Sequence, residues 1–155
     1  GNTNFGGNCK VWLDFQISML NDQKQKRDRN EFLEDFLAGL SSKPELKYIF
    51  LKANYWPLQS LSKGLKRFTA SDQLKLFSLK AIKQRFSSSN LVLESLQGLA
   101  EFLLRNKNTL YSLTMDFPLF KEQEVNEYIC KMISELKQLK ILGLNLSELS
   151  LLEAN

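Results

Sequence analysis

Leu46-Lys-Tyr-Ile49-Phe-Leu51-Lys-Ala53 and Leu74-Lys-Leu-Phe77-Ser-Leu79-Lys-Ala81 place apolar residues at the same three positions, the first, fourth and sixth. The order recurs in Leu110-Tyr-Ser-Leu113-Thr-Met115-Asp-Phe117 and in Leu139-Lys-Ile-Leu142-Gly-Leu144-Asn-Leu146. A weaker copy, Lys10-Val-Trp-Leu13-Asp-Phe15-Gln-Ile17, comes first, with Lys10 where a leucine is expected. The copies start at residues 10, 46, 74, 110 and 139, so the spacings are 36, 28, 36 and 29. Self-similarity at such a period is the signature of a repeat architecture.

Amphipathic helical patterns lie between the copies. Phe32, Leu33, Phe36, Leu37 and Leu40 share one side of a helix that Asp28 can cap. The polar stretch Asn21 to Asn30 before them reads as an exposed loop that lengthens the first repeat, and Phe86-Ser-Ser-Ser-Asn90 closes a comparable loop in the third. Pro57 suits the first position of a helix carrying Leu58, Leu61, Leu65 and Phe68. Asn90 can cap Leu93, Leu96, Leu99, Ala100, Leu103 and Leu104. Val125, Tyr128, Ile129, Met132, Ile133 and Leu136 complete the set.

Strands alternating with helices predict a parallel sheet with crossover helices. A doubly wound sheet, covered on both faces, needs strands that are apolar on both sides. Here Lys52, Lys80, Asp116 and Asn145 interrupt the apolar positions, so one face is expected to be wet. The fold class expected is therefore α/β, a solenoid with a curved parallel sheet and helices on its convex side. Residues 1–9 form a loose, glycine-rich N-terminal segment, and residues 10–155 form the repeat domain, about four and a half repeats long.

The LxxLxL segments Leu46–Leu51, Leu74–Leu79, Leu110–Met115 and Leu139–Leu144, each followed by a helix or its start, resemble the ribonuclease-inhibitor-like leucine-rich repeats. The likeness covers roughly residues 10 to 152. It implies a horseshoe of repeats and is almost silent on function: such repeats serve inhibitors, GTPase activators, ubiquitin-ligase substrate adaptors and ciliary scaffolds, and nothing in these residues chooses among them. One feature departs from the family, which places Asn or Cys at position 9 to satisfy the turn out of the strand. Here that position holds Ser18, Asn54, Ile82, Pro118 and Ser147. The turns must be satisfied by other groups.

The chain has 155 residues, enough to bury a core, with 43% hydrophobic and 25% charged residues. No apolar run reaches the length of a membrane span. The two cysteines, Cys9 and Cys130, lie far apart with no CxxC context and read as reduced thiols in an intracellular protein. Histidine is absent, which removes Ser-His-Asp and Cys-His catalysis and nearly all zinc chemistry. GxGxxG, GxxxxGK[ST] and GxSxG are missing too. The expectation is a binding protein, with no enzymatic activity, cofactor, metal or small-molecule substrate.

If positions 1, 4 and 6 face the core, positions 3, 5 and 7 line the open face of the sheet. Trp12, Tyr48 and Leu76 fall at position 3, Asp14 and Phe50 at position 5, and Lys52 and Lys80 at position 7. This aromatic patch with lysine neighbours is the expected partner-binding surface. The competing reading folds Asn2 to Asn8, with Phe5, over it. A rival partner is nucleic acid. Between Ser60 and Asn90 seven cations (Lys63, Lys66, Arg67, Lys75, Lys80, Lys83 and Arg85) face one acid, Asp72. The repeat pattern scatters them over several surfaces, which favours a solvated face. The C-terminal Ser147-Glu-Leu-Ser-Leu-Leu-Glu-Ala-Asn155 reads as the start of another helix. This suggests a piece of a longer solenoid or one component of an assembly.

Overall fold

The computed structural model describes residues 9–14, 23–52, 58–80, 89–119 and 122–148. Five strands alternate with four helices in it: β1 (Cys9–Asp14), α1 (Gln23–Leu40), β2 (Leu46–Lys52), α2 (Leu58–Lys66), β3 (Leu76–Lys80), α3 (Ser89–Arg105), β4 (Ser112–Leu119), α4 (Gln123–Ser134) and β5 (Ile141–Glu148). The strands form one parallel sheet in the order β1-β2-β3-β4-β5. Each helix returns the chain to the next strand, and successive helices pack side by side. The fold is α/β, an open sheet with a single helical layer.

The strand period decides which residues reach that layer. Leu46, Ile49 and Leu51 of β2, Phe77 and Leu79 of β3, and Leu113 and Met115 of β4 are all buried. They meet Leu33 and Leu37 of α1, Leu58, Leu61 and Leu65 of α2, Leu96, Leu99 and Leu103 of α3, and Val125, Ile129 and Met132 of α4 in one core. Phe102 sits at its centre, edge-on to Phe68 at 5.3 Å and to Phe77 at 5.0 Å between ring centroids. Such edge-to-face pairs add about 0.5–1.5 kcal/mol each beyond the area they bury.

The uneven period has a simple structural origin. The long repeats carry long helices, of 18 and 17 residues in α1 and α3, and the short repeats carry α2 and α4, of 9 and 12. The stretch from Gln23 to Asn30 is part of α1 and not a loop. Asp28 therefore lies inside the helix rather than at its cap. Its neighbours Gln, Lys and Arg are good helix formers, so propensity extends the helix where hydrophobic patterning is weak. Helix α3 likewise begins at Ser89, one residue before the expected cap Asn90. On α1, Leu33 and Leu37 are buried, but Phe32 is 61% exposed and Phe36 is exposed as well, stacked on each other at 6.0 Å.

β1 pairs with β2 two residues out of the expected alignment. Trp12 lies beside Phe50 rather than Tyr48, and Asp14 beside Lys52 rather than Phe50. The alternative would put Lys10 in the row of buried leucines. The observed register places Lys10 beside Tyr48 and aligns Val11 and Leu13 with Ile49 and Leu51. A shift of two keeps every residue on its original face. In β2 to β5 the expected alignment holds, with Tyr48, Leu76, Ser112 and Ile141 in one row.

Two glycines bring the helices close. A Cβ on Gly64 of α2 would meet Leu37 Cδ1 at 2.7 Å and the Glu34 Cα at 3.2 Å. On Gly98 of α3 it would run into the Ser62 carbonyl oxygen. At that contact the Ser62 hydroxyl enters the backbone of α3, donating to the Ser95 carbonyl and accepting the Leu99 N–H at 3.0 Å.

The turns into the strands are closed by side chains from the next repeat. Gln73 Nε2 donates to the carbonyls of Lys43 and Leu46. Asn106, 1% exposed, accepts the backbone N–H of both Gln73 and Leu74 at 3.0 Å and donates to the Phe102 carbonyl. Thr109 Oγ1 donates to the Leu74 carbonyl at 2.7 Å. The Arg105 guanidinium donates to the carbonyls of Phe68 and Lys66 at the end of α2. Asp72 takes the left-handed conformation, with φ 50, and donates its N–H to the Arg105 carbonyl. Asp is among the few non-glycine residues that tolerate this conformation.

These contacts set two stability outcomes, both read by urea denaturation. Gly98→Ala is expected to destabilise by about 1–3 kcal/mol through overpacking, whereas Gly39→Ala, with open space around it, should stabilise by about 0.5–1 kcal/mol. Asn106→Ala strands two buried N–H groups and should cost about 2–4 kcal/mol; a loss below 0.5 kcal/mol would mean that these turns are satisfied otherwise.

Candidate functional site

The open face of the sheet follows from the same alternation that builds the core. Tyr48, Phe50 and Leu76 are partly exposed, Ser78 lies beside Phe50, and Lys52 and Lys80 are exposed beside one another at the C-terminal ends of β2 and β3. Adjacent strands lie about 4.8 Å apart, so these side chains form one surface. The backbone register adds Trp12 next to Phe50 and Asp14 next to Lys52. The surface changes character across β3. Ser78 and Thr114 are small and polar, Ser112 is buried at 4% exposure, and Ile141 on the edge strand is 56% exposed.

The charged row at the strand ends reads Asp14, Lys52, Lys80, Asp116 and Asn145 in register. Two like charges side by side on neighbouring strands are mutually destabilising. Each lysine has an acidic neighbour on its other side, yet neither makes an ion pair among the described residues. Asp116 Oδ1 is buried and has no hydrogen-bond partner among the described residues. An acceptor left so carries a desolvation penalty that a donor would relieve. The face therefore offers aromatic and aliphatic contact area, two ammonium groups and one unfilled acceptor, all on sheet backbone fixed by ladder hydrogen bonds.

The basic stretch from Lys63 to Arg85 is divided by the fold. Lys63, Lys66 and Arg67 are exposed on the helical side. Arg67 pairs with Asp35 at 2.8 Å and Lys66 lies 3.9 Å from Glu101, so two of these cations link α2 to acids on α1 and α3. Lys75 precedes β3 at its opposite end from Lys80. Lys83 and Arg85 lie outside the described residues, as does the segment from Asn2 to Asn8. No group of three metal-ligating side chains occurs among the described residues. No described helix is long and apolar enough to cross a membrane.

Sequence reasoning did not find the unfilled Asp116 acceptor; its polar side chain at position 7 was visible, but its burial arises only from packing. The side-chain bonds of Gln73, Asn106 and Thr109 were missed as well. Comparison of the chain with protein-family models, curated proteins and solved structures returned no match.

On the helical side, the Tyr128 phenol is pushed up, first by burial and then by the carboxylates of Glu101 and Glu135. A folded-state value above the unfolded one favours folding below the unfolded value, near pH 10. That contribution is lost as pH rises beyond it. Stability should therefore fall above about pH 10 in the wild type, and less steeply in Tyr128→Phe, when both are followed by alkaline urea melts.

Proposed function

We propose that this chain forms a curved leucine-rich-repeat solenoid that binds another protein through its open sheet face. It serves as a scaffold or adaptor in a larger assembly and not as a catalyst. The observation that carries the reading is the composition of that face: Tyr48, Phe50 and Leu76 beside exposed Lys52 and Lys80, with the unfilled Asp116 acceptor in the same charged row. Aromatic anchors ringed by charges are typical of interface hot spots. A partner presenting a carboxylate over Lys52 and Lys80 would relieve their repulsion, and a donor reaching Asp116 would fill the acceptor.

The repeat architecture supports the reading independently. A sheet in sequential order with one helix per strand presents a broad, rigid surface, as repeat proteins do for their partners. Nucleic acid binding through the 63–85 stretch is the weaker reading, because Lys66 and Arg67 are already engaged by Glu101 and Asp35.

Affinity purification of the tagged chain from its native source tests the proposal, comparing wild type with a Trp12→Ala, Phe50→Ala double variant. The expected outcome is a stable protein partner that is reduced at least tenfold in the double variant while its circular dichroism stays unchanged. Equal recovery with both baits would place binding elsewhere, and unfolding of the variant would make the two aromatic residues part of the core.

A further inference from the structure

A second surface emerges only when the repeats are stacked. Lys47, Lys75, Tyr111 and Lys140 are separated by 28, 36 and 29 residues in the chain. In the fold they form one column at the start of the strands. The Lys75 N–H donates to the Lys47 carbonyl at 2.9 Å, Tyr111 to Lys75 at 3.0 Å, and Lys140 to Tyr111 at 2.8 Å. The column spans four strands, about 14 Å. Lys75 and Lys140 are exposed, and Lys47 and Tyr111 are partly so.

The turns beside the column add Lys43, Lys107 and Lys137, all exposed. Lys107 and Lys137 line a cavity of about 370 Å³ with Asn108, Glu135 and Gln138. Six lysines thus gather on this rim against three acids, Glu45, Asp72 and Glu135. Among the described residues none of the six is in an ion pair, whereas Lys66, Arg67 and Arg105 on the helical side each face a carboxylate. The rim is also held rigid by the bonds of Gln73, Asn106 and Thr109 described above.

We propose that this rim binds a single-stranded nucleic acid, in a site distinct from the open sheet face. Lys47, Lys75 and Lys140 contact the phosphates, over a length of about four nucleotides at the 3.4 Å rise of a stacked strand. Tyr111, between Lys75 and Lys140, offers a ring on which a base stacks. The cavity supplies both donors and acceptors for a base edge through Asn108, Gln138 and Glu135. The Glu135 carboxylate can accept a hydrogen bond from a base amino group, which the side chains of an acidic peptide do not offer.

Fluorescence anisotropy of a labelled 12-nucleotide single-stranded RNA of mixed sequence, titrated with the full chain, tests the assignment. Binding at 50 mM salt should weaken at least tenfold at 200 mM, as a phosphate-driven complex does. A Lys47→Gln, Lys75→Gln, Lys140→Gln variant should lose at least tenfold in affinity and flatten the dependence of log K on log salt by about 2. Tyr111→Leu should lose about fivefold or more with the salt slope unchanged. Lys52→Gln with Lys80→Gln, on the open sheet face, should bind as wild type. Lys75→Gln alone, expected to lose severalfold, serves if the triple variant does not fold. The assignment is overturned by no binding at 50 mM salt, by an equal loss in the sheet-face variant, by an unaffected rim variant, or by polyglutamate competing as well as unlabelled RNA.

Discussion

Strands in a sheet lie about 4.8 Å apart, while packed helices are kept 8–10 Å apart by their side chains. A chain that assigns one helix to each strand must reconcile these spacings in every repeat. Here the reconciliation is visible in the small residues between the helices. Gly64 removes the side chain that would strike Leu37, and Gly98 lets α3 settle against the Ser62 carbonyl. The Ser62 hydroxyl then joins the hydrogen bonding of α3 itself. In the proposed solenoid, bending of the sheet would take up whatever mismatch the glycines leave.

The same constraint governs the ends of the strands. Sequential parallel strands leave backbone groups at every turn from helix to strand, and these are buried beneath the following repeat. Gln73, Asn106 and Thr109 satisfy them, each reaching back to the repeat before it. The open sheet face carries aromatic and charged side chains, while the core holds the strands from the opposite face and the turns hold them at their ends.

Much of this was legible in the residues. Apolar positions 1, 4 and 6 in Leu46–Leu51 and Leu74–Leu79 define both the buried row and, by alternation, Tyr48, Phe50, Lys52, Leu76 and Lys80 on the other face. The register of β1 was not legible, because its weak copy matches the pattern equally poorly in two alignments and only the pairing with β2 separates them. The full length of α1 was hidden by the polar run from Gln23 to Asn30, where helix propensity acts without an apolar stripe. The search for a turn asparagine looked beyond the strand, whereas Asn106 works before it. The lysine column was invisible because its members lie a full repeat apart and become neighbours only through the backbone ladder.

The helix lengths of 18, 9, 17 and 12 residues alternate long and short, so each helix packs against a neighbour of unlike length. The close contacts do not alternate with them: α2 meets α1 at Gly64 and α3 meets α2 at Gly98, whereas α4 contains no glycine. Lengthening the array by one repeat would set like lengths side by side, and lengthening it by a long and short pair would keep the lengths in step but would need a new close contact against α4.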